Sequence, residues 1–349
     1  MRAMQWMTVG LAVLVLAAGA VADPLPGRDV LKFGQVPMIA TEIGKDASGA
    51  PTVYYGHDEI STAWWWIEPG IEPVYSGTFM ADDFADNYDR NIVHVRWWGS
   101  YPNRPAGDDR TADKFLIAFE HDVPKGADPI YPFFSHPDCW NQPISTQIVQ
   151  RDPDGALAPL EGTFTERLIH NGGHPLNEAL YEYNAELLCE VPQQKDTVYW
   201  LKIVALIDQD PNGPTEPLMW GWHNRDYTQK NDLASPVPVP GEHIQGWLPL
   251  DTADPADDVA IYHFQDDAVG GDIENIFIRD LCDVHIDQDH WGESLYPATY
   301  LDMLDGPEGI NQYSKDLAFE LFTVPEPATL ALLGLGAVGF LARRRRRQA

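Results

Sequence analysis

Oxygen-bearing side chains at alternate positions, closed by a glycine, make Asp208-Gln209-Asp210-Pro211-Asn212-Gly213 the best cation-binding run in this chain. Alternation turns Asp208, Asp210 and Asn212 inward while the backbone curls, which is how short calcium loops begin. In an EF-hand the closing bidentate glutamate would fall on Met219, and Pro214 stands where a backbone ligand is supplied. Calcium at Asp208, Asp210 and Asn212 therefore needs a different turn, with Glu216 as a further oxygen donor. The competing reading is a polar turn after a strand, because Asp, Asn, Gly and Pro all favour turns. No cofactor is required by the sequence, and calcium is the one ion its pattern suggests.

Other acidic groups carry less chemistry. Asp283, His285, Asp287 and Asp289, with His290 and Glu293, form a dense cluster. Strand geometry spreads alternate residues about 6.6 Å apart, too far for four of them to close on one ion. An acidic, solvated strand or loop is the expectation there. Asp82 and Asp83 are adjacent, so on a strand only one can enter a given cleft, and a carboxylate pair for glycoside hydrolysis is disfavoured. Hydrogen bonding to loop amides suits them better. There is no G-x-S-x-G elbow, and His121, His170 and His174 lack any local signature. Cys139, Cys189 and Cys282 show no C-x-x-C spacing, leaving either one disulfide with a spare thiol or none.

The tryptophans are the remaining asset. In adjacent strand pairs such as Trp97-Trp98, one ring faces away from a one-sided core. Exposed rings on a β-domain form stacking platforms for sugars, so Trp97, Trp98 and Trp222 are the candidate glycan contacts. The alternative is that the second sheet face is also covered.

These residues need strands to position them. Apolar and polar residues alternate in Asn91 to Trp98, where Val93, Val95 and Trp97 share one face and His94 and Arg96 the other. Similar alternation marks Lys114 to Glu120, Leu180 to Leu188, Thr197 to Ile207, Val259 to Phe264 and Leu317 to Thr323. Pro-, Gly- and Asp-rich turns separate them, and no crossover helices are evident. The expected fold class is all-β, an antiparallel β-sandwich of jelly-roll type over residues 75–323. Residues 23–74 read as a looser, strand-poor extension packed on it.

The two ends are addresses. Residues 1–22 carry Arg2, a short apolar core and the small residues Ala20 and Ala22, the pattern of a cleavable signal helix for signal peptidase. Residues 324–349 hold Val324-Pro325-Glu326-Pro327 and an apolar run expected to form a single transmembrane helix. Arg343, Arg344, Arg345, Arg346 and Arg347 close it. Gly334, Gly336 and Gly339 spell a dinucleotide fingerprint in the wrong context, within this apolar run, and are better read as small residues for helix packing.

Proline-flanked glutamate, apolar helix and arginine cluster, in that order, resemble the PEP-CTERM sorting signal of Gram-negative bacteria. The resemblance implies processing by the membrane protease-transpeptidase exosortase, which is thought to remove the tail. It also implies an inner-membrane intermediate and a destination in the outer envelope, cell surface or extracellular matrix. Further segments resemble an uncharacterised domain of exported bacterial proteins: Met80 to Phe84, Val95 to Tyr101, Tyr199 to Ile203, Gly221 to His223 and Asp316 to Glu320. That domain has no known activity.

The formal charge of -30 argues against nucleic acid as a partner. The expected function is therefore a non-catalytic envelope or matrix protein in contact with glycan or exopolysaccharide. A secreted polysaccharide hydrolase is the alternative, and a purely structural surface or adhesion component a third.

Overall fold

The computed structural model describes residues 29–45, 48–66, 74–139, 141, 143–153, 159–171, 179–209, 216–226, 228–229, 233–234, 248–250, 261–263, 268–288, 296–297 and 316–325. Strands come first as β1 (Val30–Gln35), β2 (Thr41–Lys45), β3 (Pro51–Tyr54), β4 (Asp58–Ile60) and β5 (Thr62–Trp66). The long strands follow: β6 (Val74–Phe84), β7 (Ile92–Ser100), β8 (Lys114–Val123), β9 (His136–Pro137) and β10 (Ser145–Arg151). After them run β11 (Thr163–Asn171), β12 (Ala179–Val191), β13 (Tyr199–Ile207), β14 (Gly221–His223) and β15 (Leu248–Leu250). The order ends with β16 (Ile261–His263), β17 (Val269–Asp280), β18 (Asp283–Gln288), β19 (Tyr296–Pro297) and β20 (Phe319–Thr323). The fold is all-β, and among the described residues no helix is long and apolar enough to cross a membrane.

Among the described residues sixteen strands join one sheet, whose main path runs β1-β20-β7-β12-β11-β10-β18-β17-β6-β5-β13-β8-β9. Pairing is mostly antiparallel. The contacts of β10 with β11, β10 with β18 and β13 with β5 are parallel, so the purely antiparallel expectation is corrected. Among the described residues the segments between these parallel strands hold no helix, a connection that period-two patterning cannot anticipate.

Two apolar clusters explain the packing. The larger takes Val95 and Trp97 from β7 and Tyr183 from β12, together with Phe115 and Ile117 from β8 and Leu201 from β13. β7 and β8 are not neighbours in the strand order, yet their Trp97 and Phe115 rings lie 5.2 Å apart. The sheet thus folds over so that β7 and β12 face β8 and β13. The second cluster takes the alternate residues of β8 and β13, including Leu116, Trp200 and Val204, with Phe79 and Ile273. All nine residues of β13 are consequently buried. Each fully buried Leu, Ile or Val contributes about 1.5–3 kcal/mol relative to exposure, which makes β13 an anchor of the domain.

The N-terminal region is not a loose extension. β1 pairs with β20, and β5 pairs with both β6 and β13. Alternation failed to reveal β5 because it is covered on both faces: Trp64 packs on the first cluster and Trp65 on the second. β1 was hidden by Lys32, which is fully buried, forms an ion pair with Asp86 at 3.3 Å and donates to the Arg90 carbonyl at 2.6 Å.

β20 lies between β1 and β7 with all five residues buried. Val324 follows at once and is 42% exposed, its carbonyl accepting from Arg90 Nη1 at 3.1 Å. The sorting segment therefore leaves straight from an interior strand of the sheet.

Candidate functional site

The segments quoted above for the domain resemblance meet around buried charges. β6 brings Asp82 and Asp83, the turn before β20 brings Asp316, and the residues after β14 bring Arg225, all at most 1% exposed. Asp82 Oδ2 accepts from the Leu317 amide at 2.7 Å, and Asp82 Oδ1 accepts from the Asp83 amide at 3.0 Å. Arg225 Nε donates to Asp316 Oδ2, and its amide donates to the Asp316 carbonyl at 3.0 Å. Burial, then the neighbouring Asp316 and Asp83, push Asp82 well above the usual carboxylate range, against the pull of the Leu317 amide and Arg225. Asp82 thus holds a proton where an exposed carboxyl would not. These carboxyls are sealed from solvent, and their hydrogen bonds join β6, the turn before β20 and the segment after β14.

Beside it lie the three residue types of a hydrolase triad, in a different geometry. His223 places Nδ1 2.8 Å from Asp58 Oδ1 and Nε2 2.8 Å from the Met38 carbonyl. Ser100 Oγ donates to the other oxygen of Asp58. A nucleophilic serine must give its proton to the histidine, yet here Ser100 and His223 both bind the same carboxylate. His223 is a clamp between β4 and the segment after β1. Burial raises Asp58, but the His223 charge and the hydrogen bonds from His223 and Ser100 outweigh it and hold the carboxyl low. Gly56, at φ +87°, makes room for the ring: a Cβ there would sit 2.4 Å from His223 Nε2. No local signal could have revealed this group, since its members come from four separate segments.

The outer face of β7 carries His94, Arg96 and Trp98, as alternation predicts, and is nevertheless buried. Arg96 Nη1 donates to Glu320 Oε2 at 2.8 Å and Arg96 Nε to Asn184 at 2.9 Å. His94 Nδ1 lies 3.5 Å from Asp29 Oδ2 and 3.8 Å from Glu186 Oε2. One ligand atom from each of Asp29, His94 and Glu186 falls within 4.8 Å of the others. Burial lowers His94, and the Asp29 and Glu186 carboxylates outweigh it, so the ring titrates above its ordinary value. On the other side of the domain, Lys202 and Glu120 pair at 2.7 Å with both side chains buried, and Cys139 Sγ lies 3.6 Å from Glu120.

The glycan candidates are placed differently from the expectation. Trp97, Trp98 and Trp222 are 0%, 4% and 0% exposed, because both faces of β7 are covered. Trp97 stacks on Tyr183 at 5.3 Å, Trp98 packs with Leu180 and Ala318, and Trp222 Nε1 donates to the Ala318 carbonyl at 2.9 Å. None of the three offers a free ring face. Asp208, the first of the calcium candidates, has both oxygens engaged, by the Tyr75 hydroxyl and by Lys114 Nζ at 2.7 Å. Burial and Asp208 push Tyr75 up to about 12. Asp283 and His285 are exposed on β18, as expected of a solvated strand. Ala20, Ala22, Asp210, Asn212, Glu326, Pro327 and Arg343 to Arg347, with the segments expected to form the two terminal helices, lie outside the described residues. Cys189 and Cys282 form a disulfide, and Cys139 stays outside it as a thiol beside Glu120.

Comparison with known families finds two matches. A model described as Domain of unknown function (DUF7901) matches residues 31–265, and one described as PEP-CTERM protein-sorting motif matches residues 323–347. No curated protein and no solved structure matches the chain.

Proposed function

We propose that this chain, which belongs to the family described as Domain of unknown function (DUF7901) and ends in a PEP-CTERM sorting motif, is a non-catalytic component of the outer envelope or surface matrix. Exosortase delivers it as an exported, membrane-processed protein. The observation that carries the non-catalytic reading is where its charges lie. The side chains of Asp82, Asp83, Asp316, Asp58 and His223 are all buried, and Asp82, Asp316, Asp58 and His223 bond to groups of the protein's own chain. Catalytic acids and bases need a substrate within hydrogen-bond reach. We read the fold as a β-sandwich, a reading supported by the facing of β7 and β12 against β8 and β13 across one apolar cluster. An N-terminal signal peptide and a transmembrane tail complete the route outward.

Contact with exopolysaccharide is part of this proposal, through surfaces other than Trp97, Trp98 and Trp222. The test is to express the full-length chain in an exosortase-positive host, collect the processed protein, and pass it over a glycan panel. Retention on acidic or neutral polysaccharide without reducing-sugar release is the expected result. Sugar release that vanishes on changing one carboxylate would overturn it in favour of a hydrolase. Failure to be retained on any glycan would leave a purely structural surface component.

A further inference from the structure

We propose that Asp29, His94 and Glu186 form a divalent-cation site of the zinc class, which staples the start of β1 to β7 and β12 across the strand that bears the sorting tail. Three observations carry it. First, the ligand atoms lie near metal-binding spacing, all within 4.8 Å of one another. Metal bonds of about 2.0–2.2 Å place neighbouring ligands of a tetrahedral ion about 3.3–3.6 Å apart. His94 Nδ1 stands 3.5 Å from Asp29 Oδ2 and 3.8 Å from Glu186 Oε2. One imidazole nitrogen with two carboxylate oxygens suits zinc and similar transition ions better than calcium, which takes more oxygen ligands.

Second, two of the three donors, His94 and Asp29, are buried with no hydrogen bond at their polar atoms. The side chains of His94 and Asp29 are 1% and 0% exposed. Neither ring nitrogen of His94 and neither oxygen of Asp29 has a hydrogen-bond partner among the described residues. Buried polar atoms are almost always satisfied, so four such atoms in one place point to a missing ligand.

Third, the charges of these three side chains do not cancel among themselves. Arg96, two residues along the same face of β7, is engaged by Glu320. A proton on His94 would leave the Asp29–His94–Glu186 group with one net negative charge. A divalent ion on the neutral ring cancels both carboxylates, which matters most where water is excluded.

The position gives the ion a purpose. Val30 pairs with Thr323, and Phe322 pairs with His94, so Asp29 stands beside the point where the chain leaves β20 for the sorting motif. β1 is the edge strand over β20. An ion joining Asp29 to β7 and β12 closes that edge and keeps β20 in the sheet while its tail is handled by the processing enzyme.

The full-length protein, purified without chelator and without a polyhistidine tag, is dialysed against Zn²⁺ and its metal content measured. About one equivalent per chain is expected, lost in both His94→Gln and Asp29→Asn, with a melting temperature that chelator lowers in the wild type alone. Absence of bound zinc, retention of it in both variants, or its loss only in Asp210→Ser would each overturn the site, the last by placing the ion after β13. Should the variants not fold, the wild type is loaded with Co²⁺. The intense visible bands of a tetrahedral ion support the site, and a weak octahedral spectrum or none refutes it.

Discussion

The amide of Leu317 donates a 2.7 Å hydrogen bond to Asp82 Oδ2, and both partners are buried. This bond ties the entrance of β20 to the middle of the domain. Through it the strand that carries the sorting motif is held by a carboxyl that itself sits among Asp83, Asp316 and Arg225.

Asp82 is expected to make stability fall with rising pH. Its folded carboxyl titrates well above the ordinary 3.8, so over that interval the folded chain holds a proton that the unfolded chain has lost. The contribution is fully present below the unfolded value and disappears as pH rises through the folded one. Asp82→Asn removes the dependence. Melting scans near about pH 5 and about pH 8 should show a smaller acid gain for the variant than for the wild type.

Asp58 has the opposite sign. Its folded carboxyl is held below 3.8, so its stabilisation is present above that value and is lost as pH falls through the lower, folded one. Acid titration followed by tryptophan fluorescence should show Asp58→Asn flatter than the wild type at the acid end. Gly56→Ala tests the same clamp sterically. A side chain at φ +87° that also meets His223 should cost more than about 1 kcal/mol in urea unfolding.

Removing the Arg225 side chain leaves Asp316 buried with its guanidinium partner gone. Arg225→Met should therefore destabilise by about 3–5 kcal/mol in chemical denaturation. Arg225→Met combined with Asp316→Leu should recover part of that loss, since no isolated charge then remains inside. A double variant no better than the single would argue that the pair is peripheral to stability.

The Cys189–Cys282 bond joins the end of β12 to the β17–β18 turn, 93 residues away in sequence. Reduction, or serine at both positions, should cost about 2–4 kcal/mol. Alkylation of the unfolded, unreduced protein followed by mass spectrometry should label Cys139 alone.

Much of the strand inventory was legible. β7, β8, β12, β13 and β20 each fall within a few residues of a segment with period-two alternation, and His94 with Arg96 lie opposite Val95 and Trp97 as that period requires. β1 and β5 escaped because a buried lysine and a run of three tryptophans mask the period when a strand is enclosed. Asp208 was read as a cation ligand, and its two oxygens accept from Tyr75 and Lys114, while Asp210 and Asn212 lie outside the described residues.

The sequence alone determined the C-terminal sorting motif and the all-β class, because a sorting motif and period-two alternation are local properties of the chain. Only the tertiary structure decided that both faces of β7 are enclosed, so that Trp97 and Trp98 are core and His94 meets Asp29 and Glu186. Those outcomes depend on which strands pair and how the sheet folds over. Such contacts between residues far apart in sequence are set by the summed burial of the whole domain, and no short segment encodes them.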